Sequence, residues 1–318
     1  MKNKLVTLVG GGGFVGRYVA QALLKSGARL RIAQRDPRQA YFLRPLGGLG
    51  QTQFVAVDVR KPDTVARAVK GADAVVNLVG LLSGDLDNVH VNGAKNVAEA
   101  CAAAGVEALV HLSAIGADPQ ADSRYGRSKG EGEEAVRAAF PNATIMRPSI
   151  IFGREDRFIN RFAEMIAAAS AVPLLHIVPV LRAGTRFQPV FVGDIAAAIA
   201  KALSDPERYG GKTFELGGPD QISMADLLRW IAREIGRDPK FIEMPDALGD
   251  VMASAGFLPG APITRDQWLM LQRDNVVRAG AEGLAAFGIT PTPLAAVAPH
   301  YLVRFRRNGR FADIDRAA

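Results

Sequence analysis

Between Leu5 and Gly16 an apolar pentapeptide, Leu5-Val6-Thr7-Leu8-Val9, runs directly into Gly10-Gly11-Gly12-Gly13-Phe14-Val15-Gly16 and then into a stretch with helical spacing. This transition constrains the fold more than any other feature of the chain. A turn without side chains lets the main chain approach an anion closely, and the unpaired amides at the helix start carry the positive end of the helix dipole. The glycines fit both Gly11-x-Gly13-x-x-Gly16 and Gly10-x-x-Gly13-x-x-Gly16, spacings suited to the pyrophosphate of a dinucleotide. Glycines also make ordinary turns, so the pattern takes its weight from the segments downstream of it.

Those segments alternate regularly. Apolar runs of strand length recur at residues 29–33, 53–57, 74–79, 108–112 and 144–146, separated by helical stretches at 14–26, 62–70, 89–104 and 126–139. Strands alternating with helices predict an α/β fold, a doubly wound parallel sheet of Rossmann type with helices on both faces. Beyond Arg147-Pro148 the rhythm breaks and proline and glycine become more frequent. Residues 1–150 are therefore the expected dinucleotide-binding domain, and 151–318 a smaller, interleaved C-terminal α/β unit facing a substrate or partner. Residues 188–194 and the alanine-rich helix after them are expected to return to the first unit, over 188–204.

With 318 residues, 48% of them hydrophobic and 22% charged, the chain can bury a substantial core and is not a disordered polymer. The one cysteine, Cys101, cannot form an internal disulfide and fits a reducing compartment. The histidines, His90, His111, His176 and His300, lack ligand spacing, so no metal site is expected, and His111, inside an apolar strand, reads as a core residue. A net charge of +7 permits attraction to phosphates, anionic lipid or an acidic protein. The arginines are scattered, without base-reading clusters or a stacking platform, which argues against nucleic acid. The densest basic and apolar mixture, residues 301–310, is either a solvated terminal helix or a membrane or partner contact. Lys2 and Lys4 precede an apolar run too short for a secretion signal, and residues 163–181 are interrupted by Glu164, Pro173, His176 and Pro179, which reads as a buried helix followed by a loop or strand. The expected location is cytoplasmic, with possible attachment to the periphery of the inner membrane.

Two further places carry chemistry. The tip of the second strand reads Gln34-Arg35-Asp36, and the Arg35 guanidinium suits a ribose 2′-phosphate, which favours NADP(H) over NAD(H); Asp36 pulls the other way. Asp58, ending the third strand, either faces the adenine or caps the next turn. Tyr125 and Lys129 stand four apart, on one face of a helix. A phenol titrates near about 10. The neighbouring ammonium is expected to lower that value, so that the pair moves a proton while the lysine also holds ribose hydroxyls.

In this order, the glycine loop, Arg35, Asn77-Leu78-Val79-Gly80, Ser113 and Tyr125/Lys129 resemble the short-chain dehydrogenase/reductase superfamily in its extended or atypical branch. Phe140-Pro141 through Asp156-Arg157-Phe158, Ile263-Thr264-Arg265-Asp266 and Gly288-Ile289-Thr290-Pro291-Thr292-Pro293-Leu294 extend the resemblance nearly end to end, to the NADPH-binding accessory subunits of respiratory complex I and their bacterial relatives. The resemblance implies that Gly10, Gly13 and Gly16 border the pyrophosphate with Phe14 and Val15, and that Arg35 meets the 2′-phosphate. It further implies that Val79 and Gly80 line the cofactor, Tyr125 and Lys129 hold the nicotinamide ribose, and Pro148-Ser149 lie on the carboxamide side. Tyr125 would be the acid/base, tuned by Lys129 and assisted by Ser113. Two departures stand out. Ala114 occupies the position where enzymes of this branch carry a serine or threonine, so Ser113 either assists Tyr125 or is a structural hydroxyl tied to the strand end. His90 stands where many relatives have an asparagine.

The resemblance supports three readings. One is hydride transfer to a carbonyl or a quinone-related substrate, for which Phe158, Phe162, Met165, Leu174 and Leu175 would form an apolar wall or else plain core. Another is a non-catalytic NADPH-binding accessory or assembly subunit of a respiratory or quinone-biosynthesis complex. The third is a redox-sensing regulator.

Overall fold

The computed structural model describes residues 1–170, 176–256, 263–309 and 311; Leu174, Leu175 and Arg310 lie outside these. Seven parallel strands form the main sheet: β1 (Leu5–Val9), β2 (Arg29–Gln34), β3 (Thr52–Ala56), β4 (Ala74–Asn77), β5 (Ala108–Leu112), β6 (Thr144–Pro148) and β7 (Thr213–Leu216). Their order is β7-β6-β5-β4-β1-β2-β3, which is the doubly wound arrangement expected. Every residue of β4 and β5 is buried, because helices cover both faces and the strands can be apolar throughout.

The helices are α1 (Phe14–Lys25), α2 (Pro62–Val69), α3 (Gly93–Ala103), α4 (Arg124–Ala139) and α5 (Val192–Ser204). α2 packs against α3 and α3 against α4, while α1 packs against α5. Beneath α2, α3 and α4 lies a core of Val65, Val69, Val75, Val97, Leu109, Val136 and Ile145. Cys101 belongs to the same core, where burial pushes its thiol up to about 12 and removes thiolate reactivity at neutral pH. His111 is buried on β5, its Nδ1 3.2 Å from the Asn77 amide nitrogen, a satisfied core histidine. The Asn77 amide is the donor of that pair, so Nδ1 is the acceptor.

The chain divides into two compact units. The first consists of Met1–Pro148, Val192–Leu216 and Val277–Thr290. The second takes the described residues of Ser149–Phe191, Gly217–Val276 and Pro291–Ala318. The 188–194 segment does not rejoin the sheet as a strand: Val190–Phe191 pairs instead with Ile151–Phe152 in a ribbon of the second unit. What rejoins the sheet unit is α5 and then β7, whose Phe214 and Leu216 are fully buried at the open edge of β6.

In the second unit, helices Ile159–Ala169 and Met224–Glu234 bury Ile159, Ile166, Leu227, Leu228 and Ile231 around Phe152 and Phe187. Phe158, Phe162 and Met165 pack onto this core. After Ala169 the chain reaches the strand Ile177–Val180, which pairs with Lys240–Glu243. The apolar residues of 301–310 also face inward. Tyr301 and Leu302 are buried, the Tyr301 hydroxyl donates to the Asp156 carboxylate at 3.0 Å, and Arg306 Nε donates to the Glu234 carbonyl at 3.0 Å. Tyr301 and Leu302 thus belong to the core of the second unit, while Arg304 and Arg307 are exposed. Among the described residues no helix is long and apolar enough to cross a membrane.

Candidate functional site

The predicted site residues of the first unit gather at the carboxyl ends of the strands. Val9 is in register with Ala33 on one side and Asn77 on the other, and Asn77 with His111. β1 lies between β2 and β4, where the strand order reverses, which is the ligand-binding edge of an open parallel sheet. Immediately after β1, Gly10 adopts φ +82° and its amide donates to the Ala33 carbonyl at 2.7 Å. A Cβ on Gly10 would lie 3.2 Å from the Val79 side chain, so the expected contact residues Gly10 and Val79 meet here. A Cβ on Gly16 would run into the Gly11 carbonyl oxygen and lie 2.7 Å from Gly11 Cα. Gly16 therefore allows α1 to begin tight against the loop. Its N-cap, Gly13, offers no side-chain cap, and no acid occupies the first turn, so the helix dipole is not neutralised by the chain itself. Phe14 and Val15 are half-buried on that turn. A backbone cradle with uncapped amides fits an anionic diphosphate.

At the tip of β2, Arg35 is exposed. The neighbouring acid is engaged locally: the Asp36 carboxylate accepts from Arg38 N at 3.1 Å and Arg38 Nε at 2.9 Å, and opens the 3₁₀ helix Pro37–Leu46. The Arg38 guanidinium holds the Asp36 carboxyl below its usual range. Arg38 is a second basic group at this tip that the sequence reading passed over; an acid two residues before it and proline between them form a recognisable capping pattern. Asp58 resembles Asp36. Its carboxylate accepts from Arg60 N, Nε and Nη2 at 3.1, 2.9 and 2.6 Å, which pulls the carboxyl down to about 2. Its bonds are those of a turn.

The third part of the site is built on α4. Ser123 caps this helix by accepting from Gly126 N at 3.1 Å, and Tyr125, Lys129 and Glu133 then recur every four residues along one face. Lys129 is buried, and its ammonium donates to the Leu112 carbonyl at the end of β5, 2.8 Å away. Burial draws the ammonium down to about 8, with Glu133 acting in the opposite direction. Burial also pushes the Tyr125 phenol up to about 12. The expected lowering of the phenol by its neighbouring ammonium is not seen: burial alone sets the direction of the shift, and the ammonium is turned toward Leu112.

Ser113 follows Leu112. Its hydroxyl is buried and has no hydrogen-bond partner among the described residues, so it is not a tied structural hydroxyl. His90 is also buried. Its Nε2 accepts the Leu81 amide at 2.9 Å, which leaves Nδ1 as the protonated nitrogen, facing the Ser128 hydroxyl at 2.9 Å. Ser128 in turn donates to the Tyr125 carbonyl at 3.1 Å. The His90 ring meets the Tyr125 ring edge to face, with centroids 5.6 Å apart. Burial, reinforced by Lys129, lowers His90 to about 3, so it is neutral and in a single tautomer at physiological pH. His90 thus braces the turn that carries Tyr125, between the Leu81 loop and Ser128.

Pro148 ends β6, its carbonyl accepting the Ile115 amide at 3.0 Å. Ser149 lies in the second unit, where its hydroxyl is taken up by Asn275, 2.8 Å from both the side-chain and main-chain oxygens. Gly80 is exposed beside His90. The sequence reading missed a charge network under α4: Arg147 forks onto Glu133 at 2.9 and 2.7 Å, approaches Glu215 at 3.8 Å, and Glu215 is also held by Arg278 at 2.7 Å. The spacing of Glu133 behind Lys129 was the available signal. Among the described residues, no three His, Cys, Asp or Glu side chains come together to hold a metal ion.

Comparison with known proteins agrees with this geometry. Residues 6–217 match the model of the NAD dependent epimerase/dehydratase family. The chain is 36% identical to NADH dehydrogenase [ubiquinone] 1 alpha subcomplex subunit 9, mitochondrial, of Mus musculus, over 95% of this chain and 80% of that one. It is 31% identical to a ceramide reductase of Caulobacter vibrioides, over 76% of this chain and 74% of that one. In fold it is similar to the triphenylmethane reductase of Citrobacter sp., with a TM-score of 0.75 at 17% identity, covering 94% of this chain and 99% of that one. The glycine cradle at the strand-order reversal and the match over 6–217 lead to one conclusion: this chain is an NAD(P)-binding, short-chain-dehydrogenase-like protein that belongs to the NAD dependent epimerase/dehydratase family.

Proposed function

We propose that the chain binds NADP(H) at the carboxyl edge of its sheet and reduces a carbonyl or quinone-related substrate. Gly10, Gly13, Phe14, Val15 and Gly16 would hold the pyrophosphate and Arg35 the 2′-phosphate. Val79, Gly80, Tyr125 and Lys129 would hold the nicotinamide ribose, and Pro148 and Ser149 the carboxamide side. When bound, the nicotinamide supplies the hydride. Tyr125, protonated throughout the neutral range, gives its proton to the substrate oxygen as that oxygen becomes an alcohol. Lys129 stabilises the phenolate left behind, and Ser113 donates to the same substrate oxygen. The observation that carries this reading is the Ser113 hydroxyl, buried and unpartnered, one residue beyond the carbonyl that holds Lys129. A buried hydroxyl without a partner costs stability, and a ligand oxygen would satisfy it.

One observation favours a second reading. In this structure the Lys129 ammonium is already satisfied by the Leu112 carbonyl, an arrangement that stands without substrate or proton transfer. With a mitochondrial respiratory subunit 36% identical over 95% of the chain, this supports a bound-nucleotide subunit of a respiratory or quinone-biosynthesis assembly, stabilised by its ligand through mass action. Two experiments test these readings, the first for the nucleotide they share and the second for the turnover that separates them. Mild denaturation of purified protein, followed by chromatography of the released nucleotide, should yield NADP(H); and Tyr125→Phe should lower turnover of a carbonyl or quinone panel by about 10²- to 10⁴-fold while the nucleotide stays bound. A wild-type protein that holds the nucleotide and oxidises it with no member of the panel supports the accessory reading. For the cofactor, Arg35→Ala should weaken NADPH and spare NADH, and equal weakening of both would refute the 2′-phosphate assignment.

A further inference from the structure

The exposed apolar side chains of the first unit include a cluster of four within nine residues. Tyr41, Phe42 and Leu46 are 39%, 43% and 44% exposed, and Leu49 is fully exposed. They lie on the 3₁₀ helix Pro37–Leu46 and on the turn Gly47-Gly48-Leu49-Gly50 that comes after it. The segment is anchored from beneath by Ala40 and Leu43, both fully buried. The turn is anchored as well: Gln51 Nε2 donates to the carbonyls of Leu24 and Ala28 at 3.2 and 2.9 Å, and Gln51 Oε1 accepts the Gly48 amide at 2.9 Å. Leu49 thus projects from a fixed turn.

The charges along the segment are basic apart from Asp36, which caps the helix and pairs with Arg38. Residues 37–57 contain no aspartate or glutamate. The Arg44 guanidinium stacks 3.7 Å over the Tyr41 ring, and that of Arg17 lies 4.5 Å over Phe42. Arg38 is exposed on the same helix, and Lys25 at the end of α1, next to the Leu24 carbonyl that anchors the turn. Leucine and aromatic tips ringed by arginines match the boundary between acyl chains and anionic headgroups, where the rings and leucines enter and the cations stay with phosphate. A specific protein interface buries about 800 Å² on each partner, supplied by roughly 20–30 residues, far more than this small protrusion presents. A bilayer surface needs only a few inserted side chains and a basic rim.

We infer that the segment 37–50 docks the first unit on an anionic lipid surface, with Phe42, Leu46 and Leu49 inserted and Arg44 and Lys25 on headgroup phosphates. This contact is distinct from the 301–310 stretch, whose Tyr301 and Leu302 are in the core. It does not depend on catalysis or on nucleotide binding. The full chain should co-float with vesicles of phosphatidylcholine and phosphatidylglycerol, far less with phosphatidylcholine alone, and binding should fall as salt is raised. Leu49→Ser and Phe42→Ser should each reduce binding about tenfold, and Leu49→Ser should do so with circular dichroism and Tm unchanged, since Leu49 is fully exposed. Arg304→Gln with Arg307→Gln should leave it intact. No binding to anionic vesicles at low salt overturns the inference, and points to a protein partner for the cluster. Binding that ignores Leu49→Ser and Phe42→Ser overturns it too, because attraction would then be charge alone.

Discussion

The loop after β1 and the face of α4 lie at the same edge of the same sheet, and they are made differently. The loop is backbone: Gly10 at φ +82°, Gly16 against Gly11, and amides left uncapped at the start of α1. Its chemistry depends on the absence of side chains, and burial of its neighbours changes little. The α4 face is side chain: a phenol, an ammonium and a carboxylate whose proton affinities are set by the depth at which they sit. A backbone site is specified by composition and spacing. A side-chain site is specified by its surroundings, and here those surroundings reversed the expected effect on Tyr125.

This contrast is open to direct test. The largest effect is expected in the loop, where Gly16→Ala places a Cβ against the Gly11 backbone, which has no room to yield. Unfolding in urea should show a loss of about 3 kcal/mol, and calorimetry a loss of nucleotide affinity of at least about tenfold. If the variant unfolds and binds like wild type, the backbone account of the loop fails.

On α4 the expected signature is a pH dependence. Lys129 titrates near about 8 in the folded chain and at its ordinary value of 10.5 when unfolded, so between these pH values the unfolded state binds more protons. Stability should therefore rise with pH across this window, as the cost of burying the ammonium disappears. From pH 8 to 10, below the range in which Tyr125 acts with the opposite sign, the Lys129 contribution should be about 2 kcal/mol, and Lys129→Met should abolish that rise. A parallel profile for wild type and variant would show that the ammonium is not desolvated.

The smallest effect belongs to Ser113. Removing an unpartnered buried hydroxyl forfeits no hydrogen bond, so Ser113→Ala should leave Tm unchanged or slightly raised, within about 0.5 kcal/mol, while turnover of any accepted substrate falls. A marked destabilisation would mean that the hydroxyl has a structural partner after all.

Much of the sheet was legible because periodicity is local. β1 and β5 coincide with the apolar runs read from sequence, and α1 differs from its expected span by one residue. Where ends moved, a side-chain hydrogen bond moved them. β4 stops at Asn77 because the Asn77 side chain accepts the Val79 amide at 3.2 Å and turns the chain. α4 begins at Arg124 because Ser123 caps it. The run at 89–104 is entered through a π-helical turn, Asp87–Asn92, that carries His90 toward Ser128. β7 escaped notice because four residues are too few for a period, and their strand character comes from β6.

The amino-acid sequence by itself determined the strand–loop–helix cradle, the succession of parallel strands and the placing of Tyr125, Lys129 and Glu133 along one helical face, since each arises from spacing within a few residues. Only the tertiary structure decided which groups are buried and whom they face: the ammonium on Leu112, the unpartnered Ser113 hydroxyl, the neutral His90, the inward turn of Tyr301 and Leu302, and the outward turn of Phe42 and Leu49. Desolvation and hydrogen-bond partnership are set by elements distant in the chain, and they govern the protonation of a side chain more strongly than its neighbours in sequence do.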